Sequence, residues 1–157
     1  MNNLIYGGCG IHELPTSIES DLLALAVAGD FTGAKVMLFT DTDIAVSDIK
    51  GLVLGDLTVP TFTGYALSAA VVWGASFVDL NGNVQQTAQK VQFLCSADTP
   101  GALPVTGAAL VDAAGTKLIA VDLFLKSDGT PNPVTMESNG DALDYVPRFA
   151  FVDQSNQ

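Results

Sequence analysis

The chain has 157 residues, and 17 acidic against 6 basic groups give it a formal net charge of −11. One domain with a core large enough to fold alone is the simplest reading of that length. The charge leaves no basic patch for phosphate contacts, which argues against nucleic acid and against anionic membrane surfaces as partners.

Residues 1–15 read as a flexible arm. Gly7, Gly8 and Gly10 loosen it, while Leu4, Ile5 and Tyr6 give it apolar side chains to bury. Those three are the candidate partner-interface residues, docking on a neighbouring subunit. Docking on the chain's own domain, or disorder, is the plainer alternative. The start lacks a basic region followed by a long apolar one, so no secretory leader is expected. No apolar run reaches the roughly 18 residues of a membrane span.

Residues 16–30 read as a short helical unit. Thr16-Ser17-Ile18-Glu19 fits a capping box, in which Thr16 accepts from the backbone and Glu19 reaches back. Asp21 suits the positive end of a helix dipole. Ile18, Leu22, Leu25 and Ala26 recur at helical spacing, and Gly29 closes the run. The pattern predicts a helix over 17–28.

From Ala34 the pattern changes to a period of two, and residues 31–152 are expected to form a β domain. A strand is predicted over 35–39, a turn at Asp41-Thr42-Asp43, and a helical turn over 47–52 that ends at Gly51. Segments 57–59 and 62–66 flank Pro60, which suits an edge or a bend. Strands follow over 67–73, 76–79, 84–87 and 90–94. Between the second and third of these, Asn81-Gly82 tolerates the positive φ of a tight turn and is the strongest hairpin signal in the chain. A loop with Pro100 and Gly101 leads to a second hairpin, 105–111 with 117–125, turning through Asp112 to Thr116. Turns at Asp128-Gly129 and Asn139-Gly140 set off final strands over 134–136 and 145–152, and 153–157 form an exposed tail. The expected fold is mainly β, an antiparallel β-sandwich or a jelly-roll-like barrel with one short N-terminal helix.

Reactive chemistry is sparse. His12 is the only histidine and stands in the arm beside Glu13. General acid–base work needs a third, positioned group, and no Gly-x-Ser-x-Gly elbow accompanies it, so no enzyme is expected. Asp41, Asp43 and Asp48, and separately Asp79, Asn81 and Asn83, cluster oxygens without the spacing of a calcium loop. Turn formation is the ordinary use of such residues. Gly7-Gly8-Cys9-Gly10 follows no strand and precedes no lysine, unlike a phosphate loop. No cofactor or metal is expected. Cys9 and Cys95 read as free thiols with Cys95 buried in a strand, or as a clip tying the arm to the β domain. Most aromatics lie at alternating strand positions and read as core. Tyr65 and Trp73 are the two set aside as an exposed platform for a sugar.

Several segments in succession carry a resemblance. They are Ala34 to Phe39, Phe62-Thr63-Gly64-Tyr65-Ala66, Trp73-Gly74-Ala75 leading to Asn81-Gly82-Asn83, Val111 to Leu118, and Met136 to Asp141 with Phe149-Ala150-Phe151 closing. Together, over about residues 34 to 152, this succession resembles small β-rich accessory virion proteins of tailed bacteriophages. The resemblance implies a structural virion protein, a capsid decoration (cement) or head-fibre component made in the host cytoplasm and placed on the outer surface of the particle. It implies contacts with the major capsid protein or other virion proteins, and a homo-oligomer such as a trimer. The alternative it leaves is a tail-fibre or host-attachment module that binds surface glycans. It carries over no catalytic residue.

Overall fold

Two pentapeptides without polar alternation, Lys35-Val36-Met37-Leu38-Phe39 and Gly107-Ala108-Ala109-Leu110-Val111, lie at the centre of the fold. An apolar run that does not alternate makes a strand buried on both faces. A computed structural model describes residues 5–6, 31–80 and 83–151. Its strands are β1 (Ile5–Tyr6), β2 (Lys35–Phe39), β3 (Trp73–Val78), β4 (Val84–Ala88), β5 (Val91–Leu94), β6 (Gly107–Val111), β7 (Leu118–Leu123), β8 (Ala142–Tyr145) and β9 (Arg148–Phe151). They form three antiparallel sheets, ordered β1-β9-β4-β3, β2-β6-β7 and β5-β8. No sheet among the described residues closes on itself, which removes the jelly-roll-like barrel from the expected folds. The helix over 17–28, Leu4, Cys9, His12 and the tail 153–157 lie outside the described residues.

One face of β2-β6-β7 presents Val36, Leu38, Ala108 and Leu110 to the main core. There they meet Val84 and Ala88 of β4, Phe149 of β9, Phe93 of β5, and Leu143 and Tyr145 of β8. The opposite face presents Met37, Phe39, Ala109, Val111 and Val121, covered by Ile44, Ile49, Leu52, Leu54 and Leu57. Ile49 and Leu54 of that cover stand on two short 3-10 helices, Val46–Gly51 and Leu54–Asp56, and the other three flank them. The first helix is the helical turn expected before Gly51.

Both predicted hairpins form. β3 pairs with β4 from Trp73↔Ala88 to Val78↔Val84, and β6 pairs with β7 from Gly107↔Leu123 to Val111↔Leu118. At the second turn Gly115 takes φ of 72°, and the Asp112 carboxylate accepts from the backbone N–H of Thr116 and Lys117 at 2.6 and 2.9 Å. Those bonds hold the Asp112 carboxyl below the usual carboxylate range.

Two expected strands are not continuous. Segment 67–73 enters a sheet only at Trp73. Before that it lies along the outer edge of β2, where Ser68 N–H donates to the Val36 carbonyl and Val71 N–H to that of Ala34. Side chains complete this edge in place of a ladder. The Val36 N–H donates to Ser68 Oγ at 2.8 Å, and the Leu38 N–H to the Tyr65 hydroxyl at 3.1 Å. An edge satisfied in this way offers no template to another strand. The expected strand 145–152 is interrupted at Val146-Pro147, where a proline without an N–H cannot sustain a ladder. Its carbonyl instead accepts from Ala88 N–H at 2.9 Å, so the chain passes from β8 in one sheet to β9 in another. Residues 134–136 contribute a single bridge, Val134↔Val105.

Candidate functional site

The outward face of β3-β4-β9 carries the polar residues that the core rejects. Cross-strand partners share a face, so Phe77 stands with Gln85, and Thr87 with Arg148. The residues between them on β4, Val84, Gln86 and Ala88, are buried. Beyond the β8–β9 turn, Asp122 of β7 reaches the rim of the other sheet. These residues and Val146 line a cleft of about 280 Å³. Phe77 and Val146 are 48 and 47 % exposed, so the cleft opens to solvent beside a ring and an isopropyl group.

Asp122 is the chemically unusual member. Tyr145 donates its hydroxyl to Asp122 Oδ2 at 3.0 Å. Burial pushes the Asp122 carboxyl above its ordinary value, against the opposing pull of the Tyr145 bond and of the Arg148 charge. A folded-state pKa raised above the unfolded one favours the folded protein fully below the ordinary carboxyl value. That contribution is lost as pH rises through the elevated folded value. Asp122→Asn keeps the shape and the acceptor for Tyr145. We expect it to unfold at a higher temperature than the parent at pH 7, with the gap closing as pH falls through the carboxyl range, measured by thermal melts across pH.

The other polar groups of the cleft are partly committed. Gln85 Nε2 donates to Asp79 Oδ2 at 2.5 Å. Asp79 also accepts from the backbone N–H and the side-chain Nδ2 of Asn83, both at 2.9 Å. The same carboxylate that braces the β3–β4 turn therefore orients Gln85.

Comparison of the chain with family models, with curated proteins and with solved structures yields no match.

The residues singled out in the sequence fall elsewhere. Ile5 and Tyr6 form β1 and pair with Ala150 and Phe149 of β9, so this part of the arm adds an edge strand to the chain's own sheet. Tyr65 and Trp73 join two different aromatic groups. Tyr65 packs edge-on to Phe62 at 5.4 Å and stacks on Phe93 at 6.1 Å, while its hydroxyl exchanges bonds with Leu38. Burial raises its pKa. Trp73 tilts against Phe31 at 6.3 Å and Phe149 at 5.3 Å, and its buried indole Nε1 has no hydrogen-bond partner among the described residues. Both rings pack against the main core. Cys95 is buried as a free thiol that donates to the Ala97 carbonyl at 3.0 Å. It lies one residue past the end of β5.

The oxygen clusters serve the backbone. Asp41 Oδ2 accepts from Thr58 N–H at 2.7 Å, and Asp48 Oδ2 from Ala45 N–H at 3.1 Å. Among the described residues no three His, Cys, Asp or Glu side chains gather as a metal site. No local motif joins the cleft residues, because they are distant in sequence. Two signals pointed to them. Asp122 is a lone carboxylate inside the apolar run Ile119 to Phe124, and Arg148 is the only arginine of the chain.

Proposed function

We propose that the protein is a structural accessory component of a tailed-bacteriophage virion, a capsid decoration or head-fibre protein that works through protein–protein contacts. One observation carries the reading. Residues 57–78 contain no charged side chain in a chain of net charge −11, and much of the stretch faces solvent, with Val59 and Val72 47 and 54 % exposed. Contact between acidic molecules is favourable where no carboxylate must be stripped of water. Function of this kind resides in a surface, and the resemblance over residues 34 to 152 points the same way. The acidic exterior suits the outside of a particle, away from packaged DNA.

The stacking of β2-β6-β7 over the other two sheets is read as an antiparallel sandwich, a form that offers broad faces to neighbours. The partner is the major capsid protein or another virion protein, and a symmetric homo-oligomer such as a trimer suits a symmetric shell. The test is placement. Mass spectrometry of virions purified from cells that make this chain, followed by immunogold labelling of intact particles, is expected to find it on the outer surface. Val59→Asp with Val72→Asp is expected to leave the chain folded and to remove it from those particles. A chain absent from purified virions, or bound unchanged by the double variant, defeats the reading.

A further inference from the structure

The cleft at the junction of β4, β7 and β9 has the size, the lining and the open hydrogen-bonding capacity of a ligand site. We infer that this cleft, lined by Phe77, Gln85, Thr87, Asp122, Val146 and Arg148, binds a single ring of a neutral saccharide. The inference does not rest on the assembly reading above. It concerns the opposite kind of surface, a concave one with polar groups converging on it.

Size is the first argument. About 280 Å³ lies at the small end of ligand sites, which run from about 300 Å³ upward. That holds one sugar ring.

Chemistry is the second. A pyranose offers an apolar C–H face and a rim of hydroxyls. The half-exposed Phe77 ring and the Val146 methyls provide an apolar wall for the face. The rim meets a carboxylate, a carboxamide, a hydroxyl and a guanidinium. Groups of this kind exchange hydrogen bonds with sugar hydroxyls.

Unfilled capacity is the third. Tyr145 occupies only Oδ2 of Asp122, and Gln85 is engaged only through Nε2. Asp122 Oδ1, Gln85 Oε1 and the Thr87 hydroxyl make no side-chain hydrogen bond among the described residues. Three groups able to accept, one of them also a donor, thus remain for a ligand. Charge selects its class. One carboxylate and one guanidinium line the cleft together, so a net anion or cation meets its like charge as well as its opposite. A neutral polyhydroxylated ring meets no such penalty.

The test uses the full chain, isotopically labelled, titrated with the methyl glycosides of glucose, galactose, mannose and their N-acetylated amino sugars. At least one is expected to shift the amides of Phe77, Gln85, Thr87 and Asp122 with a dissociation constant on the order of 1 mM, ordinary for a single-ring contact. Phe77→Ala removes an outward ring, Thr87→Val replaces an outward hydroxyl by a methyl, and both leave the core intact. Each is expected to weaken binding about tenfold, the loss of one contact of about 1.4 kcal/mol. Val59→Asp with Val72→Asp is expected to bind the glycoside as the parent does, which separates this site from the assembly surface. The inference is overturned if no glycoside moves those amides, if the cleft variants bind as the parent does, or if a lysine-rich peptide or inorganic phosphate saturates the cleft in place of the sugars.

Discussion

Gly107→Ala is expected to destabilise the fold by about 3 kcal/mol, the upper part of the range for overpacking a well-filled core. Gly107 starts β6, and the Phe39 ring lies over it. A methyl at that position would overlap the ring and stand 2.5 Å from the Asp122 carbonyl oxygen of the neighbouring strand. Phe39 has no room to retreat, because it is fully buried between the sheet and the 3-10 cover. The carbonyl belongs to the ladder and cannot move without opening it. The melting temperature should fall by about 6–12 °C, taking 2–4 °C per kcal/mol for a chain of this size. Gly51→Ala and Gly55→Ala serve as controls. A methyl there meets nothing within 4 Å, and those variants should melt within a degree or two of the parent. An unchanged melt for Gly107→Ala would mean that β6 is not gripped between Phe39 and β7 as described.

Phe149→Ala is expected to cost about 3–5 kcal/mol, the usual loss for removing a buried aromatic side chain. Phe149 is almost fully buried in the main core. It stacks on Phe31 with ring centroids 4.5 Å apart and meets Trp73 at 5.3 Å. Its backbone pairs on one side with Gln86 and on the other with Tyr6. The side chain therefore joins the entry to the β domain, at Phe31, to the four-stranded sheet. Loss of the ring should lower the denaturation midpoint and also quench or shift the Trp73 fluorescence of the folded protein, since the indole loses a packing partner. Phe149→Leu retains most of the volume and should recover more than half of the loss. A fluorescence spectrum that does not change would separate Trp73 from Phe149 and undo the aromatic group.

Much of the architecture was legible in the residues because it depends on short-range rules. Lys35–Phe39 follows from an apolar run of strand length, and the hairpins around Asn81-Gly82 and through Gly115 follow from alternation and from turn residues suited to unusual φ. The helical turn over 47–52 carries its own stop signal in Gly51. Where the expectation missed, the cause lay in partners far along the chain. The apolar run 67–73 has the pattern of a strand. Ser68 and Tyr65, however, spend their hydroxyls on the edge of β2, and the run becomes a cover for that edge. The segment 145–152 is apolar and aromatic at strand length, yet Pro147 sends its two halves into different sheets.

The candidate site shows the same division. Leu4, Ile5 and Tyr6 stand out in the sequence as apolar residues in a loose arm, and the backbone of Ile5 and Tyr6 is paired with β9. Tyr65 and Trp73 are the expected exposed platform for a sugar, and instead they pack against core rings. A ring is equally suited to a core and to a sugar, and only its neighbours decide between them. Phe77, Gln85, Thr87, Asp122 and Arg148 come from three strand pairs and share a cleft only because β7 passes beside the outward face of β4 and β9.

The sequence by itself determined that the protein is built of short antiparallel strands, that its turns lie at glycines, and that its exterior is acidic. Those properties depend on each residue and its immediate neighbours. Only the tertiary structure decided which strands share a sheet, which aromatics are consumed by the core and which carboxylate is left at a cleft. Burial and side-chain hydrogen bonding join residues of large sequence separation, and no local pattern encodes which distant group will arrive.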